Sequence, residues 1–250
     1  MSAKPTAIGS NRLLNLLPKS TRKQFVNRCE VVDLSLGGLI ENPGDLIRYV
    51  YFPMEGIISW EKQIAGSPYL VISLIGNEGM LNISSELGID ITPCRAVIQK
   101  SGFALRIVAT DFIQQLQHHP ELNLLVKRYI FVTYSQLLQM SACNLFHVLE
   151  NRLAKLILVF QDRSQSDELH ITQELLAQML GVRRVGVTKA AGSLQRQNLI
   201  SYSRGSMIVH DTKGLNAASC LCYEADKEAY AQFLHADIFK VDALPNKLEG

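Results

Sequence analysis

The chain has 250 residues, of which 47% are hydrophobic and 19% are charged, and its formal net charge is +2. This composition excludes an intrinsically disordered chain and indicates one large or two small folded domains, while the near-neutral charge points to no class of partner. The five scattered cysteines form no disulfide framework, and there is neither an N-terminal signal pattern nor a run of 18 apolar residues. We therefore expect a cytoplasmic protein with reduced thiols and no membrane partner.

The first half of the chain predicts mainly β-structure. Residues 10–28 predict one or two short helices broken at Pro18, and residues 30–112 then predict a series of short strands. Runs such as EVVDLSLG, YVYFP and YLVISLIG are alternating or β-branched, and glycine, proline, asparagine and aspartate punctuate them. Short strands at this spacing favour a small barrel or sandwich over a parallel sheet.

A long helix is predicted from Pro120, because the hydrophobic period changes there and no further glycine or proline occurs before Gly181. Apolar residues recur along it every seven positions, which is typical of a coiled-coil seam. That seam consists of Leu124, Phe131, Leu138 and Leu145. A second apolar side indicates that the helix is sandwiched, with one side on its own barrel and the other on a second subunit. We predict dimerisation through the seam; the alternative is a central helix in a monomeric bundle.

The last third of the chain predicts a winged helix-turn-helix. A helix begins near residue 148, and Thr172 can cap the next one through its hydroxyl group. Gly181 fits the tight turn after that helix, and another helix runs from about Arg183 to Gln197. Two short strands follow, so the order is helix, turn, helix and hairpin.

Two adjacent arginines, Arg183 and Arg184, occupy the first turn of the second helix of this motif, where the helix dipole disfavours cations. In a recognition helix this turn enters the major groove of DNA, and phosphate would reverse the penalty. Residues 168–210 hold five Lys or Arg against two acids, a balance of +3, whereas residues 211–250 hold four Lys against seven acids, a balance of −3. Positive charge concentrated on the motif predicts binding to double-stranded DNA. Gly186 and other small residues of this helix would allow close approach of backbone or of DNA.

These segments resemble the cyclic-AMP receptor protein/Crp-Fnr family of bacterial transcription regulators. Residues 171–211 are similar to the winged helix of that family, and residues 42–59 and 76–80 are similar to its β-roll hairpin and next turn. The resemblance implies a homodimer that binds a palindromic promoter site and recruits or blocks RNA polymerase.

The resemblance also implies an α+β fold with three parts. An N-terminal β-roll, a cyclic-nucleotide-binding-like jelly roll that would serve as the sensor domain, takes residues 1–119. A long dimerisation helix and hinge take residues 120–147, and a C-terminal winged helix-turn-helix takes residues 148–250.

The family's motif assigns roles to individual residues of the winged helix. Arg184 matches the base-reading arginine, and Val185 stands where the cyclic-AMP receptor protein has a glutamate. We expect Arg183 and Arg204 chiefly to hold phosphates and Lys189 to read a base or hold a phosphate. The predicted DNA contacts are Thr172, Gln173, Arg183, Arg184, Val185, Lys189 and Arg204.

The predicted effector pocket departs from the family's pattern. Asn82 and Ile83 stand at the places of the family's glycine and ribose-binding glutamate, and no hydroxyl residue follows Arg95. The adenine-reading Thr-Ser pair of the long helix falls on Leu138 and Gln139. Since cyclic-nucleotide binding needs a ribose carboxylate and a charge-assisted phosphate clamp, a pocket formed by Asn82, Arg95, Leu138 and Gln139 would not bind cyclic AMP tightly. The effector is unknown.

We predict no metal site and no cofactor. Only Cys29 lies near the N-terminus, so the closely spaced cysteines of the family's iron–sulfur oxygen sensors are missing. Cys220-x-Cys222 is too short a spacing for a zinc ribbon and has no partner pair. His118-His119 is interpreted as a polar turn before the long helix, with a metal or haem ligand pair as the alternative.

Catalytic motifs are missing from the sequence, so we expect no enzyme. There is no GxGxxG, P-loop, HExxH or GxSxG pattern. The alternative function is that of a cupin-like small-molecule-binding protein or enzyme, with the winged helix as a protein-docking module. Residues 30–112 contain no histidine, which speaks against a cupin-like metal site.

Overall fold

The computed structural model describes residues 10–203 and 205–239. Its N-terminal part holds two short helices, α1 (Arg12–Asn15) and α2 (Lys19–Val26), which meet at Pro18 as predicted. The strands that follow are β1 (Glu30–Leu34), β2 (Leu39–Glu41), β3 (Tyr49–Pro53), β4 (Ile57–Lys62), β5 (Leu70–Ile75), β6 (Arg95–Lys100) and β7 (Gly102–Val108).

These strands form two antiparallel sheets with the orders β1-β7-β3 and β2-β6-β4-β5. The core beside the first sheet is aromatic. Phe25, Phe52 and Phe112 are fully buried, and their ring centroids lie 5.4–6.3 Å apart in edge or tilted arrangements. The predicted N-terminal β-roll is therefore confirmed.

A helix that the sequence did not predict, α3 (Ala109–His118), closes the roll. It buries Phe112 and Leu116, which are four residues apart and so share one helix face. His118 ends α3, and its Nδ1 lies 2.6 Å from the carbonyl oxygen of Gln114. The histidine pair thus lies at a helix junction.

The predicted long helix is α4 (Pro120–Phe146), which begins with proline in its first turn. One side of α4 is buried against the roll through Leu122, Leu125, Val126, Tyr129 and Val132. His147 and Val148 have extended backbones, so they separate α4 from α5 (Leu149–Ser164). Residues 147–148 are called the hinge below.

The C-terminal part is a winged helix-turn-helix, as predicted. Its elements are β8 (Glu168–His170), α6 (Gln173–Leu180), α7 (Arg184–Arg196), β9 (Ile200–Ser203), β10 (Ser206–Val209), α8 (Thr212–Ala218) and α9 (Cys222–Phe233). Strands β8, β10 and β9 form a small antiparallel sheet in that order. The chain thus has the predicted α+β fold.

Helix α9 leaves the winged helix and returns to α4 and the roll. The Tyr230 hydroxyl donates to the carbonyl oxygen of Glu78 at 2.7 Å, and the ring of Phe233 lies 4.8 Å from that of Phe131. The sequence-based boundaries group all of residues 148–250 with the DNA-binding domain. In the structure α9 joins that domain to α4.

The roll also contacts the winged helix directly. Arg163 of α5 pairs with Glu78 of the roll at 2.8 Å, and Lys100 donates to the carbonyl oxygen of Ser164, at the end of α5, at 2.7 Å. Val71 and Leu74 of β5 share an apolar core with the winged helix. Within the described residues, no helix combines the length and apolarity that crossing a bilayer requires.

Close packing at Gly79 generates a stability prediction. A Cβ atom at Gly79 would overlap the hydroxyl oxygen of the buried Tyr129 and lie 2.7 Å from its Cζ. We expect Gly79→Ala to lower the free energy of unfolding by about 1–3 kcal/mol, as overpacking of a rigid core does. Denaturant unfolding of the purified protein measures this.

Gly192→Ala is the matched control. A Cβ at Gly192, inside α7, would meet only Arg196 Nη1 at 3.6 Å, so the better helix propensity of alanine should raise the free energy of unfolding by about 1 kcal/mol. Equal effects of the two substitutions would contradict the packing described at Gly79.

Candidate nucleic-acid interface

The turn between α6 and α7 is fixed by local hydrogen bonds and by one glycine. The Thr172 hydroxyl accepts from the Leu175 amide at 3.1 Å and so caps α6, as its position predicts. Gly181 ends α6 with a φ of +65°, a conformation that favours glycine. Arg183 occupies the N-cap position of α7, but its side chain makes no capping hydrogen bond.

Helix α7 buries one face and exposes the other. Its buried residues are Val187, Ala190, Ala191 and Leu194. A Cβ at Gly186 would lie 3.0 Å from Leu149 Cδ2, so this glycine allows α7 to pack closely on the start of α5. The close approach predicted for Gly186 is therefore made to another helix of the same domain.

The exposed face of α7 carries cations without acidic partners. Arg183, Arg184 and Lys189 are exposed, and no carboxylate in the described part of the chain forms an ion pair with any of them. Val185, between them, is 60% exposed. Such a face can accept an anionic ligand without first breaking internal salt bridges.

Gln173 links the starts of the two helices. Its Oε1 accepts from Arg184 Nε at 3.3 Å and from the Thr188 hydroxyl at 3.0 Å. The side chain of Arg184 is therefore directed by α6 before any ligand binds.

The wing lies next to this surface. A Cβ at Gly205, the first described residue after the wing tip, would lie 3.8 Å from Thr172 Cγ2. Arg204 lies outside the described residues. The structure thus describes six of the seven predicted DNA contacts, all of them at the start of α6 and in the first half of α7.

The predicted effector pocket holds internal polar pairs. Asn82 is buried with a φ of +72°, and its Nδ2 donates to Glu41 Oε1 at 2.6 Å and to the carbonyl oxygen of Tyr49 at 2.8 Å. Burial raises the pKa of Glu41, and its hydrogen bond from Asn82 acts in the opposite direction. The carboxylate that contacts Asn82 is thus held inside the roll.

Arg95 is also engaged within the chain. It pairs with Glu61 Oε2 at 3.5 Å, and its guanidinium lies 4.9 Å from the ring centroid of Tyr69. Glu61 is buried and accepts further hydrogen bonds from Ser59 and Gln99 at 2.7 and 3.1 Å. A phosphate arriving at Arg95 would therefore meet a buried carboxylate.

The two predicted pocket residues on α4 are placed differently. Leu138 is 55% exposed, and Gln139 donates to Cys222 Sγ on α9 at 3.0 Å. Gln139 is therefore bound to the C-terminal helix.

A cavity of about 420 Å³ that the sequence did not predict lies where β5, α4, α5 and α9 meet. Apolar residues such as Leu74, Met140 and Leu156 line it. Its charged residues include two ion pairs, Glu78 with Arg163 at 2.8 Å and Lys155 with Asp226 at 2.6 Å. Sequence patterns give no signal for it because its walls come from distant parts of the chain.

A cluster of potential metal ligands was also missed. Cys143, His147, Cys220 and Cys222 bring one ligand atom each to within 4.8 Å of all the others. The spacing Cys-x3-His at the end of a predicted helix, taken together with the later Cys-x-Cys, is the signal that could have found it.

Two comparisons with known proteins point to the same architecture, a winged helix-turn-helix joined to a β-roll. Residues 151–218 match the family model described as the Crp-like helix-turn-helix domain. None of the curated proteins matches the chain.

Solved structures match the fold over most of the chain. The c-di-GMP-responsive global regulator CLP from Xanthomonas campestris is 13% identical, with a TM-score of 0.65, covering 78% of this chain and 100% of its own. A Crp/Fnr family regulator from Eubacterium rectale is 17% identical, with a TM-score of 0.64, covering 83% and 97%. A CRP/FNR family regulator from Thermus thermophilus is 21% identical, with a TM-score of 0.58, covering 76% and 98%.

Residues 151–218 thus match the Crp-like helix-turn-helix domain, and the chain has the fold of these Crp/Fnr family structures, as the sequence motifs predict.

Proposed function

We propose that this protein is a homodimeric transcription regulator that binds a palindromic site in double-stranded DNA through α7. The observation that carries the proposal is the exposed face of α7, on which Arg183, Arg184 and Lys189 have no acidic partner in the described chain. Such a regulator acts in the cytoplasm, where it recruits or blocks RNA polymerase, and performs no catalysis.

Within this surface, Arg184 reads a base. Its hydrogen bond with Gln173 holds it at the N-terminal turn of α7, and a bidentate contact to guanine is the commonest specific pairing for arginine. Val185 packs on a thymine methyl group at the neighbouring base pair. Arg183 and Arg204 chiefly hold phosphates, and Lys189 reads a base or holds a phosphate.

The dimer forms through the seam on α4. Leu124, Leu138 and Leu145 are between 36% and 80% exposed in the single chain, and so is Tyr134 on the same side. Phe131 is partly covered by Phe233. A contiguous apolar row of this kind is stabilised when a second copy of the helix covers it.

The roll does not bind cyclic AMP. Glu61 pairs with Arg95, and Ile83 stands at the place of the family's ribose-binding glutamate, next to Asn82, which is bound to the buried Glu41. Arg95 would need to break its ion pair with Glu61, and Asn82 its hydrogen bond to Glu41, before either could hold the nucleotide.

The role of Arg184 is tested by Arg184→Ala. Loss of a bidentate base contact should cost about 1–3 kcal/mol per half-site and relax the preference at one symmetric position. Selection from a random-sequence DNA pool supplies the operator, and titrations against single-base variants of it measure both effects.

Arg196→Ala is the matched control, because Arg196 is an exposed arginine in the last turn of the same helix. This substitution should lower the affinity for all DNA sequences slightly and to the same extent. If Arg184→Ala binds the selected operator as wild type does, the placement of the recognition surface is wrong.

The seam is tested by the double variant Leu124→Glu/Leu138→Glu, which avoids Phe131 because that ring packs within its own chain. Charges facing each other across the seam should yield monomers in sedimentation velocity and abolish operator binding. Leu36→Glu, at a turn of the roll where the leucine is 67% exposed, should remain dimeric. A double variant that stays dimeric would place the interface elsewhere.

Calorimetry with cyclic AMP and cyclic GMP tests the roll. We expect no heat of binding at micromolar nucleotide concentration, because neither Arg95 nor Asn82 is free to hold the ligand. A dissociation constant near 10 μM, equivalent to about −7 kcal/mol, would show that the pocket opens and would refute this part of the proposal.

A further inference from the structure

We propose that the side chains of Cys143, His147, Cys220 and Cys222 bind one Zn²⁺ ion in a tetrahedral site at the hinge. The four ligand atoms lie within 4.8 Å of one another, although Cys143 and Cys220 are 77 residues apart in the chain. A set of three thiolates and one imidazole is an established combination for structural zinc.

The distances agree with a single ion. Zn–S bonds of about 2.3 Å and a Zn–N bond of about 2.0–2.1 Å give tetrahedral edges of about 3.8 Å between sulfurs and about 3.6 Å between sulfur and nitrogen. In the structure Cys143 Sγ lies 3.6 Å from Cys220 Sγ, and Cys222 Sγ lies 3.4 Å from His147 Nδ1. An iron–sulfur cluster distributes its protein ligands over several irons and needs a wider set.

The ligand types favour zinc over hard cations. Thiolates select soft or borderline metals, and the cluster contains no carboxylate to suit Mg²⁺ or Ca²⁺. The three cysteines are buried while His147 is exposed, so an ion could enter from the side of the imidazole.

The surroundings supply the outer contacts that such a site uses. Gln139 Nε2 donates a hydrogen bond to Cys222 Sγ at 3.0 Å, which stabilises a thiolate and orients it. Zinc binds cysteine as the thiolate, so metal binding would release the thiol protons of the cluster.

The position of the cluster gives the ion a structural consequence. Cys143 lies in the last turn of α4, His147 in the hinge, Cys220 in the turn after α8, and Cys222 at the start of α9. One ion would thus tie the hinge to the segment that joins the winged helix to α9. Occupancy would fix the direction in which the DNA-binding domain leaves α4.

Cobalt substitution tests the site in the full-length protein. Reduced protein freed of metal by a chelator is titrated with Co²⁺ and then with Zn²⁺ without oxygen. We expect one Co²⁺ per chain, the intense visible bands of tetrahedral cobalt with thiolate-to-metal charge transfer, and displacement by one equivalent of Zn²⁺. An octahedral cobalt spectrum, a stoichiometry other than one Co²⁺ per chain, or acid-labile sulfide in the purified protein would overturn the proposal.

Variants at the exposed ligand keep the test independent of folding. His147→Ala should weaken Zn²⁺ binding more than about 100-fold, beyond the loss typical of an outer-sphere contact. His147→Cys restores four ligands and should retain a tetrahedral cobalt spectrum. Cys29→Ser, which changes a cysteine outside the cluster, should bind as wild type does, and a wild-type affinity in His147→Ala would overturn the assignment.

Thermal unfolding provides a second measurement. Zinc that binds only the folded chain should raise Tm in the wild type and in Cys29→Ser, and should not raise it in His147→Ala. Equal shifts in all three proteins would show that zinc binds elsewhere.

An effect on DNA binding rests on the proposed function. Zinc should increase operator affinity at least tenfold in the wild type and leave that of His147→Ala unchanged. Equal operator affinity with and without zinc would refute the control of DNA binding through the hinge. Failure to bind DNA in either state, together with a tetrahedral cobalt spectrum, would refute the proposed function and leave the metal site standing.

Discussion

Helix α4 carries apolar side chains around more of its circumference than one chain covers. Leu122, Val126 and Val132 are buried on the roll, whereas Leu138 and Leu145 on the seam are exposed to water. At about 25 cal/mol per Å² of apolar area, an exposed row of this kind favours a second covering surface. Part of that surface comes from the same chain, because Phe233 of α9 packs on Phe131. The architecture of the protein follows from how this helix is shared between the roll and the C-terminal helix, and its remaining apolar row is the surface to which we assign a second copy.

The positive charge at the start of α7 is also unfavourable within the single chain. Arg183 and Arg184 oppose the helix dipole, a conflict of about 0.3–1 kcal/mol for each cation, and no described carboxylate offsets it. Gln173, at the start of α6, accepts a hydrogen bond from Arg184. Because the glutamine side chain is neutral, this bond does not compensate the positive charge of the arginine. The side chain of Arg184 is thus positioned by hydrogen bonding, but the charge of neither arginine is compensated. A bound phosphate group would supply that compensation.

Local patterns predicted most of the fold, because periodicity and capping are properties of neighbouring residues. The heptad spacing located α4, and Thr172 and Gly181 fixed the bounds of α6. Helix α3 was missed because its buried residues, Phe112 and Leu116, directly follow the alternating pattern of β7.

The candidate sites were predicted only where they are local in sequence. The proposed DNA contacts in α6 and α7 could be predicted from one segment. The partner of Asn82 is Glu41, and the partner of Arg95 is Glu61, and neither pairing has a sequence signal. The ligand cluster joins Cys143 to Cys220, so only the fold brings it together.

The hinge connects these observations, since the winged helix is attached to the rest of the chain at both ends of α5, in addition to the apolar core that it shares with β5. At the C-terminal end of α5, Arg163 pairs with Glu78 of the roll and Lys100 binds the carbonyl oxygen of Ser164. At its N-terminal end, the hinge and the cysteine cluster link α4 to the segment before α9. Rotation of the winged helix about residues 147–148 must therefore break the contacts at the C-terminal end or strain those at the hinge. A ligand that binds either end in one orientation only would shift the equilibrium between orientations by its difference in affinity for them. The contacts at the ends of α5 thus link the roll to the proposed DNA-binding surface on α7.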